Sequence, residues 1–203
     1  MSLFTLRNVD WHVTLDGMSL GTWAPAQFQA LNPVWIMVMS PILAWFYTYR
    51  ARQHNDFSIA TKFIMGFAFI AAGFLCCGAA THFSDPAGKV SPWVMVVSYG
   101  CCSLGELLVN GLGLAMISRY APASLGGFMM GAYYVAAGIA QYMGSVVANL
   151  ASIPDQIIDP LETLPIYTAL FQKLGVSALG CTLFGLLLLP IIHRLAKHHR
   201  TSA

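Results

Sequence analysis

A bundle of membrane-spanning helices is the fold class that this sequence predicts, and three observations predict it. Hydrophobic residues make up 57% of the chain and charged residues only 9%, too apolar a balance for a water-soluble domain of 203 residues. Runs free of charge, or nearly so, cover 17–49, 63–81, 90–118, 120–154 and 174–193, each close to or above the roughly 20 apolar residues that a bilayer crossing needs. The cations gather at alternate ends of these runs, as they do in multi-pass proteins. The class is therefore an all-α membrane protein. Spanning strands are excluded, because strands in lipid need a closed barrel with alternating polarity that these runs lack.

Taken in order, the chain starts with MSLFTLRNVDWH, which reaches Arg7 too soon for a span or for the apolar core of a signal peptide. It reads as the last turns of a helix that begins upstream, with a short amphipathic start as the alternative. Five complete spans are expected at 27–49, 57–79, 92–118, 122–148 and 172–192. The connection PDQIIDPLETLP, at 154–165, holds three acids and three prolines and reads as a water-facing loop.

Charge sets the orientation. Arg50, Arg52, Lys62, Arg119, Arg194, Lys197 and Arg200 fall on one side, leaving Arg7, Lys89 and Lys173 with six acids on the other. The positive-inside rule puts the first side, and the C-terminus, in the cytoplasm of a plasma (inner) membrane protein. The tail HRLAKHHR is an orientation signal and a contact for anionic lipid, not a nucleic-acid patch.

No residue pattern points to bond chemistry. Cys76, Cys77, Cys101, Cys102 and Cys181 all lie inside expected spans and read as small buried packing residues. His12, His54, His82, His193, His198 and His199 are expected in or beside loops, away from any intramembrane acid, and neither GxSxG nor HExxH occurs. The chain is thus read as a non-enzyme with no metal and no cofactor. Gly127 with Gly131, and Gly144 with Ala148, form small-xxx-small pairs expected to let helices approach closely.

One residue breaks the apolar pattern. Between Lys89 and Arg119 the only charged residue is Glu106, near the middle of the span 92–118. A carboxylate there costs about 2.5–3.5 kcal/mol on insertion scales and usually faces a cavity, a proton path or a substrate. Ser103, Glu106, Asn110 and Gly113 recur at three- and four-residue steps, so the acid, an amide and a small residue share one helix face. Asn32 precedes Pro33 in the first span, with Gln29 one turn back. Its amide either forms a second polar site or bonds backbone groups freed by the proline.

The stretches FQALNPVWIMVMSPILAWFYT, SLGELLVNGLGLAMI, the Met130-Gly131 pair and DPLETLPIYT resemble the proton-dependent oligopeptide transporters, in their bacterial dipeptide and tripeptide permease branch. The resemblance runs through nearly the whole chain. It implies the C-terminal bundle of a major facilitator fold, from the end of helix seven through helix twelve. It also implies, outside this chain, an N-terminal six-helix bundle with an ExxER proton-coupling motif and the cations that hold a peptide carboxylate. Carried over by position, Glu106 matches the acid that receives the peptide amino terminus, and Asn32 the asparagine beside it. Two positions depart from the family pattern: Asn110 stands where it has serine, and Tyr133 and Tyr134 where it has tryptophan and phenylalanine. These residues would line the peptide cavity, with dipeptides, tripeptides and protons as partners. A non-transporting membrane protein, in which Glu106 only bonds across helices, is the alternative.

Overall fold

The computed structural model describes residues 1–15, 18–53, 57–122, 124–149 and 159–201. A short helix α1 (Ser2–Asn8) leads into a hairpin of β1 (His12–Leu15) and β2 (Met18–Thr22). Helices α2 (Pro25–Gln29), α3 (Leu31–Arg52), α4 (Ile59–Gly78), α5 (Pro92–Tyr120), α6 (Gly126–Asn149) and α7 (Pro160–Thr201) follow, with a 3₁₀ turn at Ala80–Phe83. Among the described residues, four stretches are long and apolar enough to cross a membrane: Pro25–Arg52, Ile59–Gly78, Pro92–Ser118 and Pro160–Ile191. Helix α6, on the expected span 122–148, is long enough at 24 residues. Its Tyr133, Tyr134, Gln141, Tyr142, Ser145 and Asn149 make it less apolar than those four.

Several expectations need correction. The span expected at 27–49 falls inside the stretch Pro25–Arg52, in which the single turn residue Ala30, itself in the α region, separates α2 from α3. Pro33 lies in the first turn of α3, where its missing N–H costs no helical bond. The last helix starts at Pro160, not 172, and its backbone stays helical through Thr201. Residues 160–165 are therefore helix and not loop. Pro160 sits at a helix start, Asp159 Oδ1 accepts the Leu161 amide at 3.0 Å, and Glu162 lies in the first turn beside the positive end of the helix dipole. The longer α7 also takes in His193, His198 and His199 and places Lys173 well inside a helix. The rest of that connection, 150–158, lies outside the described residues, as do Asp16 and His54. The hairpin was not foreseen.

The tightest packing joins α4 to α5 and α7. A Cβ on Gly105 would lie 2.5 Å from Ile70 Cγ1 and 2.7 Å from the Gly66 carbonyl oxygen, so only glycine permits this approach of α5 to α4. On the other side of α4, a Cβ on Gly175 would lie 2.7 Å from Leu75. The foreseen pairs on α6 behave differently: Gly127, Gly131 and Gly144 face open space. Small residues bring helices together only where a neighbour is present, and α6 meets the described bundle mainly through one face of α5. The cysteines also divide. Cys77 is fully buried and Cys181 exposed, because 77 points into the α4–α5 seam and 181 away from it.

At the hairpin end a compact core gathers Phe4, Val9, Phe28, Met95, Tyr167 and Phe171. Phe4 meets Tyr167 and Phe171 edge-on, with centroids 5.8 and 5.3 Å apart. At the opposite end Arg50 lies 4.5 Å over the Phe57 ring and Lys62, almost fully buried, 4.3 Å over Tyr47. These rings shield cationic stems where they leave the apolar layer.

Candidate functional site

Asn32 reaches its place because α3 starts one residue before it, which turns its side chain toward α5. Its Nδ2 donates to Glu106 Oε2 at 3.3 Å. Its Oδ1 accepts the hydroxyl of the buried Ser103, whose oxygen also lies 3.5 Å from the Asn32 carbonyl. The amide orientation follows from the chemistry: an ionised carboxylate only accepts, so it must face the NH₂ group. Asn32 therefore does not spend its amide on backbone groups freed by Pro33.

Glu106 is half-buried, and among the described residues Asn32 is its one hydrogen-bond donor. One turn further along α5, Asn110 Oδ1 accepts the Tyr133 hydroxyl of α6 at 3.1 Å. Gly113 clears room for that ring, since a Cβ there would lie 3.2 Å from Tyr133 Cε2. Tyr134 stands edge-on to Tyr133 at 5.8 Å and is 62% exposed. The predicted face of Ser103, Glu106, Asn110 and Gly113 is thus one surface, contacted by α3 at one end and by α6 at the other. Gln29, at the last position of α2, is exposed, and no bond joins it to this surface among the described residues.

Trp35 was not foreseen. Its indole N–H donates to the Val96 carbonyl at 3.0 Å, and its ring lies 3.1 Å from where a Gly100 Cβ would stand. It clamps α3 to α5 just beyond Ser103 and so fixes the distance between Asn32 and Glu106. A tryptophan one turn after Asn32, facing a glycine one turn before Ser103, was the available signal.

An intramembrane acid held by an amide, with a second amide and two tyrosines on the same wall, defines a membrane helical bundle with a polar surface suited to a cationic or hydrogen-bonding solute. Residues 10–168 match the POT family (PTR2), and the chain belongs to that family. It is 41% identical over 196 residues to a dipeptide and tripeptide permease B of Aliivibrio fischeri and 42% identical over the same length to that of Edwardsiella piscicida. Each alignment covers 96% of this chain and 39% of the relative, so the chain spans about two fifths of the proteins it matches. Among solved structures, a bacterial homologue of the human drug peptide transporters PepT1 and PepT2 superposes with a TM-score of 0.79 at 54% identity, and tetrameric PepTSo2 with 0.80 at 56%. These cover 96% of this chain and 39% and 38% of the respective structures. The fold is that of the matched part of a major facilitator transporter, and the relatives are transporters and not enzymes.

Proposed function

We propose that this chain is the C-terminal half of a proton-coupled symporter for dipeptides and tripeptides, and that it forms half of the central peptide cavity. The observation that carries this reading is the half-buried Glu106 on a face shared with Asn32, Asn110 and Tyr133. In the apolar layer, a carboxylate oriented by an amide is a natural receiver for a peptide ammonium group, which offers three donors and no acceptor. Asn32 holds one carboxylate oxygen and leaves room for the amine at the other. Asn110 bonds the peptide backbone, while Tyr133 and Tyr134 supply aromatic faces and hydroxyls to side chains. Protons couple through the N-terminal bundle, the proposed partner of this one. The protein sits in the inner membrane with the Arg50–Lys62 end and the C-terminus in the cytoplasm. A C-terminal tag that external protease removes from intact cells would refute that orientation.

The test of the site uses this chain joined to its N-terminal six-helix half. Glu106→Gln keeps size and hydrogen bonding but loses the charge. Equilibrium binding of peptides with a free amino terminus, at fixed pH, is expected to weaken about ten- to a hundredfold, the effect of losing a charge-assisted bond of roughly 1.5–3 kcal/mol. An N-acetylated peptide lacks the cation, so its weak binding should hardly change. Equal losses for both peptides, or a fall only in folded protein, would favour a glutamate that merely bonds α5 to α3.

A further inference from the structure

Hydroxyls inside these helices mostly bond to their own turn. Ser118, Ser145, Ser177 and Thr182 each donate to a carbonyl three or four residues back, at 2.8–2.9 Å. Ser103, fully buried on α5, does not. Among the described residues its hydroxyl has no acceptor on its own helix and turns across to Asn32 of α3. A buried hydroxyl that gives up the local bond is committed to what it meets on the neighbouring helix.

Ser98, on the same helix, also crosses, but to a group that cannot turn. Its Oγ donates to the Gly73 carbonyl at 2.7 Å, and the Cys77 thiol donates to it at 3.0 Å. That bond fastens α5 to α4 and selects nothing. Ser103 instead meets a side-chain amide, whose two ends are close in size and opposite in chemistry, one an acceptor and one a donor. Which end faces Glu106 decides what the carboxylate meets.

Position and direction of that amide have separate causes. The Trp35 clamp on Val96 and Gly100 fixes the backbone near Asn32 against α5, which leaves rotation of the terminal amide as the free motion. Ser103 removes it: the hydroxyl donates to Oδ1, and Nδ2 is left directed at Glu106 Oε2, 3.3 Å away. The other acceptor within reach, 3.5 Å away, is the carbonyl of Asn32 itself, so the hydroxyl stays with this residue however it rotates. An ionised carboxylate favours the same amide direction while it is unpaired. An arriving ammonium group reverses that preference, because a cation draws a carbonyl oxygen toward itself. With Oδ1 already engaged, the amide keeps its donor on the carboxylate, and the cation meets the open carboxylate oxygen.

We propose that Ser103 is a positioning residue for the peptide amine: by holding Asn32 Oδ1 it keeps Glu106 as the acceptor that an ammonium group meets. Recognition then rests on the carboxylate charge and not on an amide free to turn. The inference rests on the peptide reading above and adds to it a residue that touches neither the peptide nor the carboxylate. Its effect passes entirely through Asn32.

The experiment uses the chain joined to its N-terminal half and reads the site twice. Without peptide, the infrared difference between the protein and its Glu106→Gln variant isolates the Glu106 carboxylate band. Ser103→Ala should move that band part of the way to where Asn32→Ala moves it. With peptide, equilibrium binding of a free-amino dipeptide should weaken about three- to tenfold in Ser103→Ala, the effect of freeing one side-chain rotor at a contact, while an N-acetylated dipeptide binds as before. In an Asn32→Ala background the same substitution should change the binding of neither peptide. A band that Ser103→Ala leaves in place would overturn the proposal, whatever the binding shows. So would equal losses for both peptides, or an undiminished Ser103→Ala effect in the Asn32→Ala background. Failure of the peptide reading has a different signature: Glu106→Gln keeps the preference for the free amine while the band still answers to Ser103. Ser103 would then orient Asn32 for packing alone, and its role in amine recognition would fall with that reading.

Discussion

Helices α4 and α6 are similar in length and both rich in glycine, yet they sit in the bundle in opposite ways. Helix α4 is gripped on both sides: Gly66 and Gly73 receive α5, and Leu75 and Ile64 press on Gly175 and Gly185 of α7. Helix α6 touches α5 at Tyr133 and otherwise presents Phe128, Val135, Tyr142 and Met143 outward. Glycine spacing alone does not separate the two. What differs is the partner surface, because in lipid no water-driven force draws helices together and close packing must supply the attraction.

The largest expected effect tests the gripped side. Gly105→Val places branched carbon where Ile70 and the Gly66 carbonyl already stand, and backbone cannot give way as a side chain can. The loss should approach the upper end of overpacking costs, about 3 kcal/mol, read as a lower midpoint of thermal unfolding in detergent. An unchanged midpoint would mean that α4 and α5 are not this close.

A somewhat smaller effect is expected from Asn8→Ala. It strips the Thr163 hydroxyl and the Pro160 carbonyl of a buried partner, at a cost of about 2 kcal/mol in the same assay.

On the open side the effects shrink. Tyr133→Phe removes the one bond from α6 to Asn110 and should cost about 0.5–1 kcal/mol, since water can replace much of an exposed contact. Gly131→Ala meets no atom within 4 Å and should instead stabilise by about 0.5 kcal/mol, through the better helix propensity of alanine. Repeating Gly131→Ala in the chain joined to its N-terminal half sharpens the contrast: a loss there would identify a protein partner for this face, and a retained gain would leave it to lipid.

The polar face of α5 was legible because helical periodicity is local: three- and four-residue spacing puts Ser103, Glu106, Asn110 and Gly113 on one side whatever surrounds them. The packing glycines were not. Gly127 and Gly131 fit the small-xxx-small spacing better than Gly105 does, yet Gly105 is the one in contact. The start of α7 was misread for a related reason: prolines and acids suggest a loop on average, but Pro160, Asp159 and Glu162 stand where a helix start accepts all three.

The sequence by itself determined that this protein is built of long apolar helices suited to lipid, and which acid stands alone among apolar residues. Those properties follow from composition, run length and local period, none of which needs a neighbour. Only the tertiary structure decided that Asn32 bonds both Ser103 and Glu106, that Asn8 gathers Gly88, Pro160 and Thr163, and that Arg7 and Lys89 line one cavity. Each of these joins residues 70 or more positions apart, and their meeting depends on how closely helix backbones approach. That distance is set at Gly66, Gly105 and Gly88 by the atoms opposite them, and a one-dimensional pattern does not contain those atoms.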